Sequence, residues 1–266
     1  MDVGGMDIFE LEDVMTGYGK KLVLENFNMT LPRGQITSIV GPNGCGKTTL
    51  LHTLSRALKV KSGKVLLDGK DIFTMNTKDV AKRLSLLPQS SNAPDGLTVR
   101  ELISYGRHPH KGPLEGMNRQ DLDNIDRAVD VTGIKAFTDR RVSELSGGQK
   151  QRVWLAMALA QNTEIILLDE PTTYLDMKFQ MEILNLLKEL NETADSTIVM
   201  VLHDINHASR FSDHMIAMKE GSIVKLGTPE AVMTESVLEE IFEIDAVINE
   251  CPFTSRPIIT SYQLKG

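Results

Sequence analysis

Apolar and polar positions broadly alternate over residues 7–31, with Ile8, Leu11 and Val14 followed by Leu22, Leu24, Phe27, Met29 and Leu31. A period near two places one face of the chain on a core, so this stretch predicts two or three strands around the turn Gly17-Tyr18-Gly19. Pro32-Arg33-Gly34 reads as a turn into Ile36-Thr37-Ser38-Ile39-Val40, a continuous run suited to a strand buried on both faces. A helix is predicted over 48–58. A strand follows over 64–67, closed by the hairpin signal Asp68-Gly69. Helix 79–83 and strand 84–87, ending at Pro88, come next. Beyond residue 90 the pattern changes. The breakers Pro94, Gly96, Pro109, Gly112, Pro113 and Gly116 separate helical patterns at 98–106 and 118–132, and no strand run is convincing there. This predicts a helical subdomain inserted between two sheet strands. Helix 149–161 carries Val153, Met157 and Ala160 on one face, and strand 165–168 follows. Helix 177–191 turns Phe179, Ile183, Leu187 and Leu190 inward. Strand 197–202 and a hairpin over Glu220-Gly221 (214–226) complete the pattern, and the last ~40 residues give only mixed, weak signals. Strands alternating with helices imply an α/β protein with a mainly parallel core sheet, flanking helices and an N-terminal antiparallel β subdomain.

Composition narrows this picture. The chain has 266 residues, 41% hydrophobic, enough for a sizeable core. Its net charge of −7 (29 − 36) argues against nucleic acid or anionic lipid as a broad electrostatic partner. Cys45 and Cys251 are the only cysteines, which predicts no disulfide framework and a reducing compartment. No apolar run approaches the ~18 residues of a membrane span. The start, Met1 to Met6, lacks a basic segment followed by an apolar one, so no secretory signal is predicted, and the second methionine leaves the true start open. Any membrane role therefore runs through a partner.

Three stretches carry chemistry. Gly41-Pro42-Asn43-Gly44-Cys45-Gly46-Lys47-Thr48 fits the phosphate-binding pattern and lies between a predicted strand and a predicted helix, the context that separates the motif from a Gly-rich turn matching by chance. Its glycines allow successive N–H groups to face one anion, and the helix start adds partial positive charge. Lys47 would reach the β- and γ-phosphates and the Thr48 hydroxyl would bind Mg²⁺. The strand Ile165–Leu168 ends in Asp169-Glu170, which puts two carboxylates where open α/β sheets bind ligands. There Asp169 would support Mg²⁺ through water, and Glu170 would polarise an attacking water. Third, Leu145-Ser146-Gly147-Gly148-Gln149 opens a helix. Ser146 there is either an N-cap alone or part of an anion site made of N–H groups, a hydroxyl and a helix dipole. His203 and His207 are four apart, but further zinc ligands are missing.

In their order and spacing these motifs resemble the ATP-binding subunit of an ATP-binding cassette (ABC) transporter, over nearly the whole chain. Leu145–Gln149 reproduces the family signature LSGGQ. The resemblance implies one ABC ATPase domain over 1–266: a RecA-like core with its β subdomain at 7–89 and 149–230, a helical subdomain at 90–148 and a tail at 231–266. It also implies that ATP is shared by two copies arranged head to tail. Ser146, Gly147, Gly148 and Gln149 of one copy would meet the γ-phosphate held by Lys47 of the other. Thr49 joins the loop's binding set. Tyr18, otherwise a turn tyrosine, matches the aromatic stacked on adenine. Gln89, otherwise a loop amide, matches the glutamine that senses Mg²⁺ and the γ-phosphate. Asp176 matches an aspartate that crosses the dimer interface. His203 matches the γ-phosphate histidine, although a strand-end histidine is as readily structural. Catalysis falls to Glu170, His203, Lys47 and Gln89, and Mg²⁺ to Thr48, Gln89 and Asp169. Cys45 and Thr48 stand where serine is more usual, and Thr48 keeps the hydroxyl.

Repair and chromosome cassettes insert long coiled coils between the half-sites, whereas Gln89 and Leu145 are 56 positions apart here (145 − 89). Translation cassettes usually come in pairs on one chain, and this chain has one set. A transporter motor is left, with the membrane permease on separate chains, docking near Gln89 and segment 90–110, and an extracytoplasmic binding protein acting indirectly. The expected place is the cytoplasmic face of the membrane. Gly106-Arg107-His108-Pro109-His110, Asp169–Asp176, Val201–Asn206 and Cys251–Ile258 resemble the iron-chelate (siderophore) importer branch. Haem and cobalamin importers, and a non-transport ABC ATPase, stand as alternatives.

Overall fold

The computed structural model describes residues 7–89, 93–112, 115–173 and 175–265. The terminal methionines, the first residues of segment 90–110, the breaker Pro113 and Tyr174, all weighed in the sequence, lie outside the described residues. The chain forms two compact units, one of Met1–Met75 with Thr197–Gly266 and one of Asn76–Ser196.

In the first unit, β1 (Asp7–Tyr18) and β2 (Lys21–Pro32) pair antiparallel. The alternation allows two or three strands and two form. Their reversal falls at Gly19-Lys20, because Gly17 and Tyr18 still pair with Leu22 and Lys21. After β3 (Ile36–Val40) and α1 (Lys47–Leu54), β4 (Ser62–Leu67) adds to β1 and β5 (Lys70–Asp71) to β4. The helix predicted to reach residue 58 stops at Leu54. Arg56 takes a left-handed φ of +63° and the Leu58 N–H returns to the His52 carbonyl, a closure that satisfies helix-end carbonyls.

The second unit holds α2 (Thr77–Arg83), β6 (Leu84–Leu87), α3 (Val99–Ser104), α4 (Arg119–Val131), α5 (Gly147–Ala160), β7 (Ile165–Asp169) and α6 (Met177–Ala194). β6 and β7 run parallel, with Leu87 beside Leu168. Among the described residues from 93 to 146 there is no strand, only the bridge Thr98–Arg141. Val99, Leu102, Ile103, Ile125, Val129 and Val153 form that region's core. On α6, Ile183, Leu184 and Leu187 are buried, while Phe179 and Leu190, both expected inward, are half-buried.

A buried polar cluster ties these helices together. Arg107 lies in a 3₁₀ turn, Tyr105–His110, and is only 4% exposed. Its Nε donates to Asp121 Oδ1 at 3.0 Å, and its guanidinium donates to the carbonyls of Ala160 and Gln161, each at 2.8 Å. Lys111 also pairs with Asp121. Burial would raise the Asp121 carboxyl, but Lys111, the Asn118 N–H and Arg107 outweigh it and hold the pKa at about 2. Gln161 in turn donates to the Leu84 carbonyl at 2.9 Å. The carboxyl end of α5 is thereby fixed to α4 and to β6.

The chain returns to the first unit through β8 (Thr197–Val201), α7 (Ile205–Phe211), β9 (His214–Lys219) and β10 (Ser222–Gly227). β8 and β9 flank β3 in parallel, and β10 pairs antiparallel with β9. Every residue of β3 and β8 is buried, so neither strand alternates between a buried and an exposed face, and β3 buries even Thr37 and Ser38. The tail forms α8 (Pro229–Val232), α9 (Glu235–Phe242) and an antiparallel hairpin of β11 (Ile244–Glu250) and β12 (Pro257–Leu264). Cys45 and Cys251 are both free thiols and both buried.

Candidate functional site

In the first unit, the phosphate loop leaves the carboxyl end of β3 and His203 lies just past the carboxyl end of the adjacent parallel β8, whose Val201 is in register with Ile39. Gly41 leaves with φ +149°, and a Cβ there would sit 2.2 Å from the Met218 carbonyl oxygen, so only glycine passes under β9. Gly46 caps α1 in the left-handed region at φ +108°, and no side chain caps that helix start. A helix start capped by backbone alone aims its first N–H groups outward, as an anion site requires. Lys47 is 6% exposed, and its ammonium donates to the carbonyls of Gly41 and Pro42, both at 2.9 Å. It therefore lies across the loop whose anion it would share. Burial pushes the Cys45 thiol up against the pull of Lys47, so it is a small protonated filler rather than a thiolate beside a phosphate. Thr48 is half-buried, Thr49 is buried, and Pro42, Asn43 and Gly44 form the exposed or half-exposed lip. Tyr18 ends β1 and is 52% exposed, and His203 is exposed.

In the second unit, Gln89 follows the carboxyl end of β6 and Asp169-Glu170 that of β7. Asp169 is the last strand residue and fully buried, deeper than an exposed strand-end acid. Glu170 is 7% exposed and holds φ +53°, a left-handed geometry that costs a glutamate about 1–3 kcal/mol. Strain of this kind persists where surrounding structure enforces it. Here Thr173 supplies part of it: its N–H donates to the Glu170 carbonyl at 3.2 Å and its hydroxyl to Glu170 Oε2 at 3.2 Å. The Thr172 and Leu175 carbonyls of the same loop accept from Gln180 on α6.

The signature stretch starts α5 through a reciprocal cap. Ser146 Oγ accepts from the Gln149 N–H at 3.3 Å, and Gln149 Oε1 accepts from the Ser146 N–H at 3.0 Å. Gln149 thus has a structural task beyond any nucleotide contact. Leu145 anchors the stretch in the helical core, while Ser146 and Gly147 are exposed, with open space where a Gly147 Cβ would point. A cleft of about 510 Å³ is lined by Ser146, Gly147, Gly148 and Gln149 together with Asp176. Asp176 caps α6 by accepting from the Phe179 N–H at 3.0 Å. Arg152 borders the cleft, its guanidinium 3.7 Å over the Phe179 ring and 3.1 Å from Glu182. So the structure brings the signature and Asp176 onto one cleft, 27 positions apart in sequence (176 − 149).

Thr48, Gln89 and Asp169 offer a hydroxyl, an amide carbonyl and a carboxylate, the hard oxygen donors that Mg²⁺ takes in small number while keeping waters. Each of these side chains, taken by itself, is of a type that Mg²⁺ accepts. Sequence reasoning missed Thr173, Gln180, Arg107 and Asp121. Thr173 could have been found, three positions after a candidate catalytic acid; the others pair through the fold.

A family model described as ABC transporter matches residues 24–173. The iron(3+)-hydroxamate import ATP-binding protein FhuC of Bacillus subtilis (strain 168) is 49% identical over 259 residues, 97% of this chain and 96% of the relative. The ferric enterobactin transport ATP-binding protein FepC of Escherichia coli (strain K12) is 44% identical, covering 93% of this chain and 92% of the relative. Among solved structures, the dimeric bacterial ABC transporter cassette MJ0796 matches with a TM-score of 0.75 and 31% identity, over 83% of this chain and 98% of that one. A post-hydrolysis state of the same cassette, bound to ADP and Pi, matches at a TM-score of 0.74, with 31% identity and coverage of 83% and 98%. The phosphate loop on β3, the strained acid after β7 and the capped signature helix are thus found in a chain that belongs to the ABC transporter family, as an ATP-hydrolysing subunit.

Proposed function

We propose that this chain is the motor of a ferric-chelate importer, working as a head-to-tail pair of copies beneath a separate membrane permease. One observation carries the proposal: the likeness to iron-chelate import ATPases runs almost end to end in both chains, at 44–49% identity. Among the described residues no helix is long and apolar enough to cross a membrane, which fits a chain held at the cytoplasmic face by that permease. The permease docks near Gln89 and segment 90–110, and an extracytoplasmic binding protein delivers the chelate to it.

In this reading Tyr18 stacks on adenine and the Gly41–Thr49 loop holds the phosphates, with Lys47 between the β- and γ-groups. Thr48, Gln89 and Asp169 would hold Mg²⁺, which would supply neutralisation of phosphate charge. The Glu170 carboxylate accepts a proton from water as the oxygen attacks the γ-phosphorus. The bond from that phosphorus to the β-phosphate oxygen breaks, ADP leaves, and His203 stabilises the transferred group. Ser146, Gly147 and Gly148 of the second copy close over the same γ-phosphate, and Asp176 crosses between copies. ATP binding draws the copies together and hydrolysis removes the bridge, which switches the permease.

The test is co-purification with a multi-span permease and uptake of labelled ferric hydroxamate in a strain lacking the gene. Uptake restored by the chain but not by Glu170→Gln supports the proposal. Restoration of haem or cobalamin uptake instead would reassign the cargo, and no effect on any uptake would remove the transport role.

A further inference from the structure

Between the end of β8 and the start of α7 lie only Leu202, His203 and Asp204. Each end of that link is held. The Leu202 N–H donates to the Ile39 carbonyl at 3.2 Å, on the strand that feeds the phosphate loop. Asp204 caps α7, its Oδ1 accepting from the N–H groups of Asn206 at 2.8 Å and His207 at 3.0 Å. The backbone position of His203 is therefore tied to that of α7. α7 has seven residues, too short to be fixed by its own hydrogen bonds.

The C-terminal hairpin holds α7 in place. The Asn206 side chain accepts from the Ile259 N–H at 2.8 Å and donates to the Ile259 carbonyl at 3.1 Å. A side-chain amide has the same donor and acceptor as a peptide unit, so Asn206 satisfies the edge of β12 as a neighbouring strand would. One turn on, buried Ser209 donates from Oγ to the Pro257 carbonyl at 2.6 Å. Three hydrogen bonds to backbone atoms of β12 thus lock α7 along one face. The hairpin is anchored away from α7 as well, by Arg256 on Glu230 at 2.8 Å and by the ion pair of Lys265 with Glu239 on α9.

We propose that Asn206 and the C-terminal hairpin are positioning elements for ATP hydrolysis, holding His203 on the γ-phosphate by clamping the helix that follows it. This rests on the reading of His203 as a γ-phosphate contact. Asn206 touches no nucleotide and acts through α7. It gives the tail, weak in sequence signal, a part in turnover.

The test compares Asn206→Ala, His203→Ala and the double variant in the full chain, reading kcat per bound nucleotide, KM for ATP and the thermal midpoint. A misplacement of ~1 Å can cost ~100-fold, so Asn206→Ala is expected to lower kcat per bound nucleotide about tenfold while KM stays within about twofold. In the His203→Ala background the same change should cost nothing further. A purely structural Asn206 would lower the midpoint and the active fraction but leave kcat per bound nucleotide intact, and that result overturns the proposal. So does an equal drop in both backgrounds. Normal turnover in His203→Ala would instead sink the reading of His203, and the proposal with it. Because Asn206→Ala could loosen the tail as a whole, Ser209→Ala provides a second, smaller lesion in the same clamp. A kcat loss in the same direction is expected, and none in either variant overturns the proposal.

Discussion

Asp121→Asn isolates one charge in the cluster that holds the signature helix. Asparagine keeps the volume and an oxygen for the Asn118 cap, but leaves Arg107 and Lys111, with side chains only 5% and 8% exposed, without a counter-charge. Holding the carboxyl at about 2 rather than its ordinary 3.8 corresponds to on the order of 2 kcal/mol. Removing one partner from a buried pair costs about 3–5 kcal/mol. The expected loss is therefore about 2–5 kcal/mol. Asp123→Asn on the same helix is the control, because the Arg119–Asp123 pair is 91% and 62% exposed and worth under ~1 kcal/mol. Urea unfolding followed by Trp154 fluorescence reads the difference, since this lone tryptophan packs on the helical core. The sign of the pH dependence is fixed too. The folded-state pKa is depressed, so the stabilisation is complete above about pH 4 and fades as pH falls toward 2. The gap between wild type and Asp121→Asn should narrow over that window. A midpoint shift no larger than that of Asp123→Asn, or a gap independent of pH, would refute the reasoning.

Glu170→Gln should bind ATP yet turn over about 10²–10⁴-fold more slowly and accumulate as an ATP-bound dimer on size exclusion; near-normal turnover removes Glu170 from the base role. Mixing Lys47→Ala with Ser146→Arg chains should yield heterodimers with one complete site and partial ATPase activity, whereas mixtures no better than either variant alone count against sharing between copies. Gly41→Ala would place a Cβ 2.2 Å from the Met218 carbonyl oxygen and should abolish nucleotide binding, measured by fluorescent ATP titration; unchanged affinity would undo the close-approach argument.

The features legible in the sequence were those whose physics is local. A phosphate loop needs consecutive N–H groups and a helix start, so it is written as eight contiguous residues. A doubly buried strand announces itself as an apolar run, as in Ile165–Leu168 of β7 and Ile198–Val201 of β8. A cap needs a hydroxyl and an amide three residues apart, as Ser146 and Gln149 are. Element limits were less legible. The end of α1 is set by Arg56 turning left-handed, and nothing in the identity of arginine foretells that.

What only the tertiary structure decided is which faces meet. Arg107 and Asp121 are 14 residues apart and Asn206 and Ile259 are 53 apart. In the sequence, Arg107 and Asn206 stood within marks of likeness and had no task of their own. Periodicity records that a residue faces inward, but the partner it meets there depends on how elements pack, which the local pattern does not encode. The sequence alone therefore determined the phosphate loop, the paired acids and the signature. The fold decided that Thr173 braces Glu170, that Arg107 ties down the far end of the signature helix, and that a tail with little signal of its own grips the helix behind His203.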